Sequence, residues 1–201
     1  MKKQNKQPFK IVDDFFESPD LWRYHALKQD FVSAGRTGQQ SASLDVINPN
    51  LFHSVAGKII KHVTGKNTFS YLRINYDLVD ESFNLGWCYV GEPQYNVAGV
   101  IFLNPNPAPN SGVLLYNKIA DTDQDYAKIA ADELAADPAD RINYKKYKVD
   151  QRKLFRKTLT VENVYNRCFI FSPDTWHSFD SFFGTDKDSS RLAITFYGIA
   201  E

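Results

Sequence analysis

The chain has 201 residues, enough for one sizeable core, and its 24 Lys plus Arg balance its 24 Asp plus Glu. That balance carries no field to draw the chain to nucleic acid or to an anionic membrane surface, and neither partner is expected. No run approaches the roughly 20 apolar residues of a membrane span, and two cysteines are too few for a disulfide framework, so a single domain with reduced thiols in the cytoplasm is expected. The polar N-terminus MKKQNKQPFK is followed by no apolar stretch of signal-peptide length. Aromatic residues are abundant (15 Phe, 11 Tyr, 3 Trp), which suits β-rich packing better than a helical bundle.

In chain order, FKIVDDFF (9–16) alternates weakly and reads as a first strand. In ESPDLWRYHALKQDF, Ser18 as N-cap and Pro19 at the first helical position predict a helix. VSAGRTGQQSASLDVINPN is a polar loop. From Asn50 to Thr64, Phe52, Val55, Ala56, Ile59, Ile60 and Val63 recur at helical spacing, giving an amphipathic helix that ends at Gly65, with His53 and His62 off its apolar stripe. After Gly65 the pattern shortens. TFSYLRINYDLV, SFNLGWCYV, YNVAGVIFL, SGVLLYN, YNRCFIF and RLAITFYGI are β-prone runs parted by turns such as NPNPAPNSG. Six strands after two helices predict a mainly β, α+β domain in which a sandwich or barrel carries helices on one side. Residues 119–157 break the rhythm: acidic and Ala-rich, then basic, they read as a surface insertion, with a lid as the functional alternative.

Candidate chemistry is concentrated near the C-terminus, in NRCFIFSPDTWHSFDSFFGTDKDSSRLAITFYG (166–198). His177 is one of only four histidines, with His25, His53 and His62. Arg191 opens a strand whose alternation puts Arg191, Ala193, Thr195 and Tyr197 on one face and Leu192, Ile194 and Phe196 on the other. A charge in register with small and polar residues suits a barrel interior that holds an anion; an exposed arginine at a strand start fits alternation equally well. No nucleophile elbow and no phosphate loop is present. Cys168 lies mid-strand, where packing is its expected role. Asp13 with Asp14, and Asp77 with Asp80, are acid pairs of the kind that 24 acidic residues produce by chance.

IVDDFFESPDLWRYHAL, AGRT at Arg36 with INPNLF at 47–52, YNVAGVIFLNPNPAPNSGVLLYN, YNRCFIF and WHSFDSFFGTDKDSSRLAITFYG occur in an order that resembles small 2-oxoglutarate/Fe(II)-dependent oxygenase-like proteins, the prolyl-hydroxylase-like type common in phages and marine bacteria. The resemblance covers nearly the whole chain outside 119–157. It implies a double-stranded β-helix, a jelly-roll or cupin-like barrel with the N-terminal helices against one sheet. It also implies Fe(II) and 2-oxoglutarate as cofactors, His177 as the distal metal ligand and Arg191 as the clamp for the acid. Such iron sites use two histidines and one carboxylate, leaving positions open for co-substrate.

The family's H-x-D motif falls in GWCYVGEPQYNVAG, on Tyr89-Val90-Gly91 or on Val90-Gly91-Glu92; neither register contains a histidine, and only the second leaves a carboxylate, Glu92. Cys88 and Tyr89 are pocket candidates with Thr195 and Tyr197, and core positions otherwise. The expectation is therefore a degenerate dioxygenase-like protein that binds a small acid. The alternatives are an active hydroxylase with an unconventional metal shell and a non-catalytic jelly-roll module.

Overall fold

The computed structural model describes residues 9–34, 38–83, 91, 93–119 and 154–201. Among these described residues ten strands and three helices follow one another as β1 (Lys10–Val12), α1 (Pro19–Leu27), β2 (Val32–Ser33), β3 (Gln39–Gln40), α2 (Leu44–Ile47), α3 (Pro49–Ile60), β4 (Phe69–Val79), β5 (Val97–Phe102), β6 (Val113–Lys118), β7 (Phe155–Val161), β8 (Cys168–Phe171), β9 (Trp176–Phe179) and β10 (Arg191–Ala200). Two sheets form, a seven-stranded one in the order β1-β8-β5-β10-β4-β3-β2 and a three-stranded one in the order β7-β6-β9. Every pairing is antiparallel. This is the mainly β barrel with flanking helices that the strand rhythm predicts.

The two faces of the large sheet bury different cores. Leu192, Ile194 and Phe196 of β10 join Ile74, Tyr76 and Leu78 of β4 and Ala26, Leu44, Val55 and Ile59 of the helices. The alternate residues, Ala193 with Val100, Phe102, Phe169 and Phe171, meet Val113, Leu115 and Val161 of the small sheet. Period-two alternation thus separates a helix-covered face from a barrel interior.

Local detail departs from the sequence reading in ways the backbone explains. Only three residues of FKIVDDFF pair as a strand, because Asp14 takes φ of 51° and turns Phe15 and Phe16 into the helix-side core. Asn166 locks that turn: its Oδ1 accepts from the Phe16 amide and its Nδ2 donates to the Phe16 carbonyl, both at 2.8 Å. Ser18 makes no side-chain cap bond, so Pro19 carries the helix start, whereas Asn48 does cap α3, accepting from the Leu51 amide at 3.2 Å. Four strands, β2, β3, β7 and β9, are additions to the runs read from the sequence; β2, β3 and the short α2 fall in the stretch read as a polar loop. Phe155–Lys157, assigned above to the insertion, open β7, while 120–153 and most of SFNLGWCYV lie outside the described residues.

Gly112 enters β6 where a Cβ would stand 2.0 Å from the carbonyl oxygen of Val161, an atom of the adjacent backbone that cannot rotate away. Gly112→Ala is expected to force β6 from β7 and lower stability by about 1–3 kcal/mol, as overpacking does. Urea unfolding of the two proteins checks this; an unchanged midpoint would show that the β6–β7 edge yields freely.

Candidate functional site

The site is built from three strands. On β10, Arg191 is completely buried, and in register it faces Val79, while Ala193 faces Asp77 and Thr195 faces Asn75. Paired residues share a face, so Asp77 projects into the barrel interior, diagonal to Arg191. Opposite them, His177 of β9 pairs with Leu115, an interior residue of the small sheet. His177 is 7% exposed and sits edge-on to Phe171 at 4.7 Å. The sequence candidates His177, Arg191, Thr195 and Tyr197 therefore line one barrel. Thr195 and Tyr197 are half-buried toward its other end.

Arg191 is held from both sides. Asn104 donates from Nδ2 to the Ser190 carbonyl at 2.9 Å and accepts the Leu192 amide on Oδ1 at 2.7 Å. The chain reaches Arg191 through a turn in which Asp186 Oδ1 accepts from the amides of Asp188 and Ser189 and from the Ser189 hydroxyl. Its guanidinium lies 4.0 Å over the Phe179 ring, with Phe102 and Phe182 each at 5.7 Å. Stacked aromatic faces attract the cation and exclude water, which strengthens any anion contact made there.

Two further groups set the electrostatics. Burial raises the Asp77 carboxyl to about 6, against the opposing pull of the Thr195 side chain, the Arg191 charge and the Gln40 side chain. Its Oδ1 is buried with no hydrogen-bond partner among the described residues, an arrangement that costs folding free energy unless something meets it. Burial lowers His177 to about 4, partly offset by its bond to the Thr175 carbonyl, so the imidazole is neutral near pH 7. A carbonyl only accepts, so at 2.7 Å Nδ1 is the protonated nitrogen and the lone pair resides on Nε2, the tautomer of a metal-ligating or proton-accepting histidine.

The barrel's open side carries Tyr71, Tyr95 and Tyr197, with ring centroids of Tyr95 and Tyr197 4.8 Å apart and Tyr71 stacked on Tyr95 at 5.5 Å. Arg73 is exposed beside them and donates from Nε to Asn75 Oδ1 at 3.0 Å. A separate cleft of about 320 Å³ lies outside the barrel between Phe31, Asp80 and Lys187. Its charged groups serve local structure: Lys187 donates to the Gln29 carbonyl at 2.7 Å, and Asp80 accepts the Ser82 amide at 2.8 Å.

The other three histidines lie across the large sheet. His25 bonds the Tyr76 hydroxyl at 2.9 Å on the helix side, His53 is exposed on α3, and His62 stands against Phe15 at 6.0 Å. Among the described residues no group of three His, Cys, Asp or Glu could hold a metal ion. The candidates Cys88, Tyr89 and Glu92, and Arg36, lie outside the described residues. Of the acid pairs, Asp77 and Asp80 diverge to interior and turn, and Asp13 pairs instead with Arg167 at 2.6 Å. Cys168 is fully buried in the helix-side core, which raises its thiol and leaves it a packing residue. Asp77, Asn104 and Phe179 were not singled out as site residues by their local sequence. The signal for Asp77 was its place in the polar register of β4, alternate to Leu72, Ile74, Tyr76 and Leu78 and shared with Arg73 and Asn75.

No protein-family model matches the chain, and no curated protein matches it in sequence. Solved structures do match its fold. HygX from Streptomyces hygroscopicus, solved with nickel and 2-oxoglutarate, aligns with a TM-score of 0.56 at 12% identity over 97% of this chain and 84% of that one. The non-heme alpha-ketoglutarate-dependent carbocyclase SnoK from nogalamycin biosynthesis aligns at 0.55 and 12% identity, over 96% and 80%. A prolyl hydroxylase from Trichoplax adhaerens, in complex with a hypoxia-inducible-factor peptide, aligns at 0.52 and 12%, over 97% and 84%. The chain has the double-stranded β-helix fold of 2-oxoglutarate/Fe(II) oxygenases.

Proposed function

We propose that this oxygenase-like barrel binds a small carboxylic acid through Arg191 and does not run conventional two-histidine iron chemistry. The observation that carries the reading is the placement of the four histidines, of which His177 alone faces the interior. A two-histidine, one-carboxylate site does not fit such an interior, since Fe(II) stands low in the affinity order and depends on a complete ligand set. A carboxylate does fit. Arg191 presents a fixed, water-shielded guanidinium in the position where the resemblance puts an acid clamp, and the matched HygX structure binds 2-oxoglutarate. In this reading Asn104 positions Arg191, Phe179 desolvates it, and neutral His177 supplies one polar contact at the pocket wall.

A second reading has a specific observation behind it. Three phenylalanine rings surround Arg191 and Asp77 acts on it electrostatically, as in a purely structural buried charge pair within a scaffold.

Anaerobic titration of the full chain with Fe(II) and 2-oxoglutarate, followed by visible absorbance and calorimetry, separates the readings. The expected result is no visible charge-transfer band, and heat of acid binding that is the same with and without Fe(II) and absent in Arg191→Met. A band that appears in the parent protein and vanishes in His177→Ala would overturn the proposal in favour of an unconventional iron site. Absence of binding by any acid would favour the scaffold.

A further inference from the structure

We infer that the interior site is selective for an acid carrying a hydrogen-bond donor, an amino or hydroxy acid, over a dicarboxylate such as 2-oxoglutarate, with Asp77 as the specificity-determining residue. The inference rests on the acid-binding reading above and names the substrate class for that same site.

Two positions define it. Arg191 and Asp77 are diagonal neighbours on the interior face of adjacent strands, a placement about 7–8 Å apart, somewhat less between Cβ atoms, within reach of long side chains. A short ligand with a head group at each end would meet both side chains at once. At the Arg191 end the complement is a carboxylate. At the Asp77 end the complement is a donor: Asp77 is 4% exposed, and its Oδ1 has no hydrogen-bond partner among the described residues. An acceptor-only carboxylate oxygen is satisfied by an N–H or an O–H and by nothing else.

Charge points the same way. Among the described residues, Arg191 and Asp77 bring opposite charges to this face and balance each other. A zwitterion keeps that balance, each end meeting its opposite. A dicarboxylate brings two negative charges to a site with one guanidinium among the described residues and sets one of them beside Asp77, a like-charge contact in a water-poor interior. A divalent metal would offset such charge, and of the four histidines only His177 faces this interior. A hydroxyl is neutral and still donates, so hydroxy acids rank between the two.

The test is calorimetry on the full-length protein in EDTA at pH 7.5, with straight-chain ω-amino acids, ω-hydroxy acids and dicarboxylates of two to six carbons. At the best length, the amino acid is expected to bind at least tenfold more tightly than the dicarboxylate, with the hydroxy acid between. In Asp77→Asn, whose amide donates as well as accepts, the order is expected to collapse, with the dicarboxylate gaining and the amino acid losing. Equal or tighter binding of dicarboxylates by the parent protein would overturn the inference while leaving acid binding intact, and that comparison needs no variant. Binding of none of the three series would overturn the acid-binding reading itself. A preference that persists in a folded Asp77→Asn protein would remove Asp77 from the role.

Discussion

His177→Asn and Asp77→Asn are expected to give stability profiles of opposite slope between pH 4 and 6.5. Asp77 has its folded-state value raised to about 6 from 3.8, chiefly by burial. Its contribution is present below about 4 and lost as pH rises through 6. His177 has its folded-state value lowered to about 4 from 6.5, again chiefly by burial. Its contribution is present above 6.5 and lost as pH falls toward 4. At pH 5 the folded chain holds a proton on Asp77 and none on His177, and the unfolded chain does the reverse. The two linkages offset each other, so these groups leave the parent protein's stability almost flat across the window.

Removing one group exposes the other. At roughly two pKa units each and 1.36 kcal/mol per unit, the slopes integrate to about 3 kcal/mol. His177→Asn loses about 2 kcal/mol of that relative to the parent as pH rises from 4.5 to 7, and Asp77→Asn gains a similar amount over the same range. Urea unfolding at the two pH values, referred to the parent, provides the measurement. Parallel profiles for the two variants would mean that Asp77 and His177 do not titrate as their burial requires.

Arg191→Met is expected to destabilise the protein by about 2–3 kcal/mol at pH 7.5, about 2 of it because the buried Asp77 carboxyl, already raised to about 6, loses the positive charge acting on it and takes up a proton instead. Adding Asp77→Asn to that variant should recover at least half of the loss. A charge pair replaced as a unit by neutral groups of similar volume is often tolerated, whereas a broken one is not. Stacking on Phe179 at 4.0 Å is lost in both variants and accounts for the part that does not return. The four-corner cycle, from chemical denaturation of parent, singles and double, yields the coupling directly. A coupling below about 0.5 kcal/mol would show that Asp77 and Arg191 are energetically independent, and the charge-balance argument for ligand selectivity would lose its basis.

The interior face of β10 was legible because a strand's side-chain period is two, and one buried face imposes that period on residue type. Arg191, Thr195 and Tyr197 stood out against Leu192, Ile194 and Phe196, and the structure turns those groups to opposite sides. The exposed strand-start alternative for Arg191 was equally compatible with alternation. Only the burial beneath Phe102, Phe179 and Phe182 separates the two, and those rings come from β5, β9 and the segment after it. Asp77 illustrates the converse. Beside Asp80 it resembles any of the chain's many acids; what distinguishes it is cross-strand register with Ala193, over a hundred positions away in sequence. Asn104 was legible as a turn residue after β5, and its grip on both neighbours of Arg191 is a contact across 86 and 88 positions.

By itself the sequence determined the β-rich class, the helical positions of α1 and α3, the alternation that divides β10 into two faces, and the count of four histidines that limits every metal proposal. These are local or compositional properties, set by propensity, side-chain period and arithmetic on residue types. Tertiary structure alone decided which histidine faces the barrel, that Arg191 is sealed by aromatic rings, and that a buried acid with an unmet oxygen stands diagonal to it. Each of those depends on long-range strand pairing, whose register brings distant residues onto one face and which no local window of the chain encodes.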